Sequence, residues 1–521
     1  MGFSDIGCYG GEIDTPNLDR LARAGTRLTQ FYNSPRCTPS RASLMTGLHP
    51  HQVGVGILNF DDTPDGYPGN LSERCVTAAE ALGAAGYGTY LSGKWHLASD
   101  MENPNPAWPA RRGFDRVYGT LEGAGSFYQP RTLVRDERNV EEEALDPEFF
   151  YTDAISDNAC GFVADHHERR GDDPLFLYLA YTAPHWPLHA HEDDIARYRG
   201  RFDEGWDVLR RKRLDRLVNE GILDEAWPLS DRDPRVEAWD DTADKEWQAR
   251  RMEVYAAQVT RMDAGIGRVL DTLDRLGRLD NTLFVFLSDN GGCAEEMPPE
   301  SVKEFVTSFV PMHEHTRAGV PVVPGNTSEV MPGPEHTYAS YGRGWANLSN
   351  APFREYKHWV HEGGIATPFL VHWPAGLGQP RRLCHTPYQL VDVLPTLLDV
   401  AGAAYPSERA GELVPQAEGR SMLPALRGED VDGERPLFWE HEGNAGVRQG
   451  RWKVLRKHAK DWELYDVAAD RTELHDLAAE HPGRVASMTT AYEGWAERCG
   501  VIPREQVLAL YARRGKGLPE E

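Results

Sequence analysis

Three segments most constrain what this chain can fold into, because each runs from an apolar, β-rich stretch straight into polar residues fit for chemistry. They are GYGTYLSGKWH (86–96), PLFLYLAYTAPHWP (174–187) and NTLFVFLSDNGG (281–292). Short runs of this composition, bounded by Gly, Pro and Asn, read as strands. Helical patterns lie between them, notably EVYAAQVTRMDAGIGRVLDTLDRLG (253–277), whose apolar positions recur at helical spacing. Strands alternating with helices predict an α/β fold built on a large, mainly parallel sheet flanked by helices. In such a sheet, ligands collect beyond the carboxyl ends of the strands. Lys94, His96, His185, Asp289 and Asn290 are therefore expected on one rim.

The remaining chain divides around that core. Thr15 and Pro16 open a first helix carrying Leu18, Leu21 and Ala22, and Gly25 is expected to end it. TRLTQFY then reads as a strand, followed by a loop with Cys37 and a helix opening at Pro39. The charged stretch 189–252 reads as a surface excursion, and TPFLVHWPAG (367–376) as a further strand of parallel type. Trp206, Trp227, Tyr341 and Trp345 are candidates for lining a substrate mouth, although aromatics more often fill cores. A Pro/Gly/Glu-rich connection at 402–435 separates a domain at 1–401 from a smaller α+β domain at 436–521. The latter opens with short antiparallel strands in PLFWEHEG, AGVRQG, RWKVLRK and WELYDV.

Charge narrows the partners. Lys and Arg number 56 against 81 Asp and Glu, a net −25, which repels nucleic acid and other polyanions. A small anionic substrate held in a local cationic pocket suits this surface better. The longest apolar run, LFVFL (283–287), is too short for a membrane span, and MGFSDIG lacks the features of a signal peptide. Seven cysteines are scattered without metal-binding spacing, and six of them read as free thiols.

Cys37 differs. In SPRCTPSRASLMTG (34–47), Pro39 fixes a first helical turn whose free N–H groups favour negative charge. Arg41 adds a positive charge one turn along. Alone, the pattern reads equally well as a loop thiol beside a structural arginine. However, CTPSRASLMTG resembles the sulfatase signature, in which the cysteine is oxidised to formylglycine. GKWH, TAPHWP, SDNGG and FREYKHWVHEGG resemble that family's other active-site segments, in the family's order. The likeness extends to GRWKVL and WELYDVAADRTELHDLA near the C-terminus and is nearest to bacterial cysteine-type arylsulfatases.

That resemblance implies an alkaline-phosphatase-like fold and hydrolysis of sulfate monoesters, aryl sulfates foremost. Formylglycine made from Cys37 would hydrate to a diol and pass through a sulfo-enzyme intermediate, after maturation by a formylglycine-generating enzyme. Arg41 would steady the diol, and Lys94 and Lys357 would bind the sulfate oxygens. His185 would protonate the leaving oxygen, and His96 would act as base. Asp289, Asn290 and residue 37 would hold one Ca²⁺, a hard cation suited to oxygen donors. The family also supplies an Asp-Asp pair on a strand immediately before a segment like GFSDIGCYGG, which here begins at residue 2. The expectation is that the natural protein starts upstream of Met1, which leaves localisation open. Asp5 reads as a loop or capping carboxylate rather than a replacement. The alternatives are a phosphonate monoester or phosphodiester hydrolase of the same superfamily, or an inactive anion-binding relic.

Overall fold

The computed structural model describes residues 1–299, 313–378 and 382–514. Eight strands form its centre: β1 (Thr26–Leu28), β2 (Gly88–Gly93), β3 (Arg116–Thr120), β4 (Leu133–Arg135), β5 (Leu175–Ala180), β6 (Phe284–Leu287), β7 (Phe369–His372) and β8 (Leu383–Cys384). They fall into two sheets. In one, β2 lies between β3 and β5, parallel to both, and β4 adds antiparallel to β3. In the other, β7 lies antiparallel to both β1 and β6, and β8 adds parallel to β1.

The α/β architecture is the expected one, with mixed rather than mainly parallel pairing. Segment 367–376, read from sequence as a parallel-type strand, runs against both neighbours. The reason lies in its connection. The residues that follow β6 meet those that precede β7 at the same rim, where the amide of Gly291 donates to Gly364 O at 3.0 Å. β7 therefore starts at the end where β6 stopped and runs back.

Helices cover both faces: α1 (Pro16–Ala24), α2 (Cys37–Thr46), α3 (Tyr151–Arg170), α4 (Gly205–Asn219) and α5 (Lys245–Arg275). Alternation along the strands divides the core between the two layers. Tyr90 and Tyr118 pack with Ile155, Phe162 and Ile266, whereas Leu91 and Val117 pack with Leu82 and Leu394 on the other side. Gly25 follows α1 with φ −122°, so the left-handed region plays no part. Its constraint is space, since a Cβ there would lie 2.2 Å from Val371 O. The excursion at 189–252 is not simply surface. Trp206, Trp239 and Trp345 are buried against one another, with ring centroids 4.8 to 5.5 Å apart, and Tyr341 is buried as well. Trp206, Tyr341 and Trp345 therefore belong to the core and not to a substrate mouth. Trp227 is half-buried and donates to Ala468 O.

Among the described residues, β5 pairs only with β2, and β6 only with β7. Between their free edges lies a cavity of about 580 Å³, lined by successive residues of both strands. Leu175 to Leu179 are only half-buried, although the sequence there is apolar enough for a strand covered on both faces. Ile266 and Val269 of α5 close one side and Val393 and Leu397 the other, and the rim end opens on Arg41, Lys94 and Asp289.

The C-terminal region is built differently. Strands β9 (Leu437–His441), β10 (Asn444–Gln449), β11 (Trp452–Arg456) and β12 (Glu463–Asp466) form an antiparallel meander. Helix α6 (Pro482–Cys499) seals it, with Trp495 stacked on Phe438 at 5.2 Å. Helix α7 (Arg504–Arg513) brings Val507 and Tyr511 back against Ile57 and Tyr67. No described helix is long and apolar enough to cross a membrane.

Candidate active site

Cys37 is itself the first residue of α2, so the helix begins two residues earlier than Pro39 suggests. Its side chain is buried at the rim among cations. Burial alone would push the thiol up, but the charges of Lys94 and Lys357 overrule it and hold the thiol below its ordinary value. Negative charge at position 37 is therefore better tolerated than on a free thiol.

Arg41, one turn along, spends its guanidinium on the strand ends. It donates to Lys94 O at 2.7 Å, to the Tyr178 hydroxyl at 3.2 Å and to Asp289 Oδ2 at 3.2 Å. Burial would raise the Asp289 carboxyl; Arg41 and then Lys94 outweigh it and keep the group ionised far below the usual carboxylate range. Lys94 leaves β2 where Gly93 passes so close to β5 that a Cβ would lie 2.1 Å from Ala180 O. The lysine is 2 % exposed, and no hydrogen bond or ion pair is recorded for its Nζ among the described residues. Burial lowers its pKa, with the negative charge of Cys37 pulling the other way.

The two histidines are neutral in the resting site. His96 has φ 63° and sits 3.2 Å from Thr38 Oγ1. Burial, followed by Lys94 and Arg41, holds it well below its ordinary value. His185 donates from Nδ1 to Trp186 O at 2.9 Å, which leaves Nε2 as an acceptor 3.4 Å from Lys357 Nζ. Burial, then Lys357 and Lys94, keep it well below its ordinary value. Burial opposes the charge on Lys357, and Cys293 and Glu295 more than restore it. The structure thus gathers Cys37, Arg41, Lys94, His96, His185, Asp289 and Lys357 at one rim.

Sequence reasoning missed three participants. Glu295 accepts from Trp186 Nε1 at 2.8 Å and lies 3.2 Å from Arg36 and 3.8 Å from Lys357. Its signal was its place three residues after SDNGG, and that of Arg36 its adjacency to Cys37. Glu122 had no signal. It is buried 4.0 Å from His96, and desolvation pushes its carboxyl up to about 7.

For a hard cation the donors are few. Asp289 offers an ionised carboxylate already engaged by Arg41, and Asn290 is buried beside it with its amide N–H donating to Gly291 O. Asp5 is taken up elsewhere, bonded to Arg213 at 2.8 Å, the Tyr255 hydroxyl at 2.7 Å and the Gly2 amide at 2.7 Å. Even with residue 37 added, these donors do not fill the usual shell of six to eight oxygens around Ca²⁺.

Comparison with known proteins identifies the family. A sulfatase family profile matches residues 1–403, and a profile for the C-terminal part of N-sulphoglucosamine sulphohydrolase matches 354–490. The chain is 34 % identical to an arylsulfatase of Klebsiella aerogenes, over 77 % of this chain and 84 % of that one. It is 32 % identical to an uncharacterised sulfatase of Schizosaccharomyces pombe, over 96 % and 92 %. Among solved structures, Ps i-CgsB in complex with k-i-k-neocarrahexaose superposes with a TM-score of 0.67 at 24 % identity, covering 100 % of this chain and 96 % of that one. A phosphonate monoester hydrolase from Silicibacter pomeroyi superposes at 0.55 with 19 % identity, covering 93 % and 91 %, a likeness of fold alone.

Proposed function

Because this chain belongs to the sulfatase family, whose members hydrolyse sulfuric esters, we propose that it acts on aryl sulfates through residue 37 matured to formylglycine. The observation that carries the reading is the buried cationic cage around Cys37, in which no carboxylate among the described residues lies within ion-pair distance of Lys94. The charges of Cys37 and Asp289 offset that of Lys94 from beyond contact distance, and a bound sulfate group would add a countercharge in direct contact.

Hydrated formylglycine would supply a geminal diol, one hydroxyl attacking sulfur and the other later releasing sulfate. The remaining work falls to this chain's own side chains. Lys94 and Lys357 draw off charge from the sulfate oxygens. Arg41 fixes the end of α2 against the ends of β2 and β6, which keeps position 37 in register with both lysines. His96, neutral and next to Thr38, is disposed to take a proton from position 37.

His185 bears most directly on the substrate. Its Nε2 carries no proton at rest, so it gains one only when substrate charge enters the pocket. Such an acid assists weakly, which favours leaving groups that need little help. A phenol, with a pKa of about 10, is one. Asp289 and Asn290 are disposed toward Ca²⁺ as two of its ligands, and the remaining donors would have to come from beyond the residues gathered here.

The test is the full chain co-produced with a formylglycine-generating enzyme. Residue 37 is read by peptide mass mapping, and rates are measured on 4-nitrophenyl sulfate and on an aryl phosphonate monoester, with and without Ca²⁺. The expected result is formylglycine at 37, sulfate ester turnover, and loss of that turnover in Cys37→Ala. A higher kcat/KM on the phosphonate would replace the sulfate reading. Sulfate binding without turnover of either ester would mark an anion-binding protein.

A further inference from the structure

Behind the rim, the loop that carries Lys357 passes between the Cys37 loop and the C-terminal meander, and three metal-ligating side chains meet there. His358, His441 and Glu442 each offer one ligand atom, and these atoms lie within 4.8 Å of one another. His441 ends β9 and is 0 % exposed, yet neither ring nitrogen has a hydrogen-bond partner among the described residues. Its nearest carboxylate oxygen, Glu442 Oε1, is 3.7 Å away, beyond hydrogen-bonding reach. Leaving a buried polar group unpaired costs about 1–3 kcal/mol, so a native structure normally provides a partner.

The surroundings suit a cation held by those groups. Burial keeps His441 well below its ordinary pKa and lowers His358 to about 4, so both rings are neutral, which is the ligating form. Glu442 is oriented from outside the cluster. The Tyr511 hydroxyl donates to its Oε1 at 2.5 Å, and Arg504 lies 3.4 Å from its Oε2 while donating to its backbone carbonyl at 2.6 Å. Such outer partners are what fix a ligand's direction. The neighbouring Arg36 is occupied by Glu295. The Asn444 amide is 3.3 Å from His358 Nε2, a long contact that a metal could displace.

We propose that His358, His441 and Glu442 form a site for a divalent transition metal of the zinc class, separate from the catalytic rim. Two imidazoles and one carboxylate select zinc, cobalt or nickel over calcium and magnesium, which prefer oxygen-only shells. The site has a structural consequence. The His358 amide donates to Pro35 O at 2.7 Å, and Lys357 is the preceding residue. A metal there ties the Lys357 loop, the Cys37 loop and the end of β9 together, so it is a positioning device for Lys357.

Cobalt is the probe. The full-length protein is stripped with EDTA, dialysed, and titrated with Co²⁺ while visible ligand-field absorption is recorded. The expected result is a band saturating at about one equivalent and displaced by Zn²⁺. That band should weaken by at least ~10-fold in affinity in His441→Ala and in Glu442→Gln, and persist in Asp289→Ala. Absence of stoichiometric absorption in the wild-type protein overturns the proposal, whatever the variants do. So does a band that survives both His441→Ala and Glu442→Gln, or one abolished by Asp289→Ala alone.

Discussion

Two regions of this molecule bury lysines and treat them in opposite ways. At the junction of β11 with the loop before β7, the Lys453 ammonium donates to Glu362 at 2.9 Å and to Glu473 at 2.6 Å. Arg471 closes the same cluster on Glu362 at 2.9 Å, and all four side chains are fully buried. At the rim, Lys94 is nearly as deep but has no carboxylate within ion-pair distance among the described residues, and Lys357 lies 3.4 Å from His185 Nε2, 3.8 Å from Glu295 and 3.9 Å from Cys293 Sγ. The junction is electrostatically closed and serves to hold; the rim is left open and serves to receive an anion. Partner geometry rather than burial separates a structural lysine from a catalytic one.

The largest expected effect tests the closed side. Lys453→Ala leaves two buried carboxylates short of a partner and should cost about 3–5 kcal/mol in urea unfolding at neutral pH. Acid acts on the same cluster. Among these acids, burial would raise Glu362, but Lys453 and Arg471 depress it to about 2. Its contribution is therefore present above its unfolded pKa of about 4.5 and is lost as pH falls through about 2. A cost below about 1 kcal/mol would break the contrast between the two lysines.

Lys94→Ala tests the open side. It should lower kcat on an aryl sulfate by about 10²–10³ while costing far less unfolding free energy than Lys453→Ala, since among the described residues no carboxylate lies within ion-pair distance of its Nζ. Equal losses of activity and stability would mean that Lys94 is a structural cation after all.

Glu122 sharpens the same boundary by a smaller amount. Desolvation raises its folded pKa to about 7, so folding favours its protonated form. That advantage is complete below its unfolded pKa of about 4.5 and disappears as pH rises through about 7. Glu122→Gln should therefore stabilise the protein at pH 8 by about 1–3 kcal/mol and flatten the slope of stability between those values. An unchanged slope would show that water or a cation reaches this carboxylate.

Much of this contrast was legible in sequence, for a physical reason. Strand ends followed at once by Lys, His or Asp-Asn advertise themselves, because apolar periodicity and reactive side chains abut. Lys94, His96, His185 and Asp289 accordingly converge. Cys37 and Arg41 were marked by helix-start chemistry, although Arg41 turned out to serve the strand ends. Pairing direction was less legible: nothing local in TPFLVHWPAG records that β7 is entered from the rim where β6 ends. The same limit hid Glu122, Arg471 and the meeting of His358 with His441, whose partners are distant in sequence. Aromatic residues misled for the opposite reason, since Trp206 and Trp345 in a charged stretch pack with Trp239 out of solvent.

The smallest effect extends the contrast from charges to the sheets beneath them. Leu464, in β12, is 0 % exposed inside the sealed meander, whereas Leu177, in β5, is only half-buried on the wall of the cavity facing β6. Removing side-chain atoms costs most where neighbours surround them and least where space already exists. Leu464→Ala should therefore lose about 2–4 kcal/mol and Leu177→Ala about 1 kcal/mol. Amide exchange should agree, with β10 and β11 protected on both edges and the β5 and β6 amides that face the cavity exchanging far sooner. Equal costs and equal protection would mean that β5 and β6 are as well packed in solution as the meander. The rim they carry would then be open by its charges alone, and not by the sheet beneath it.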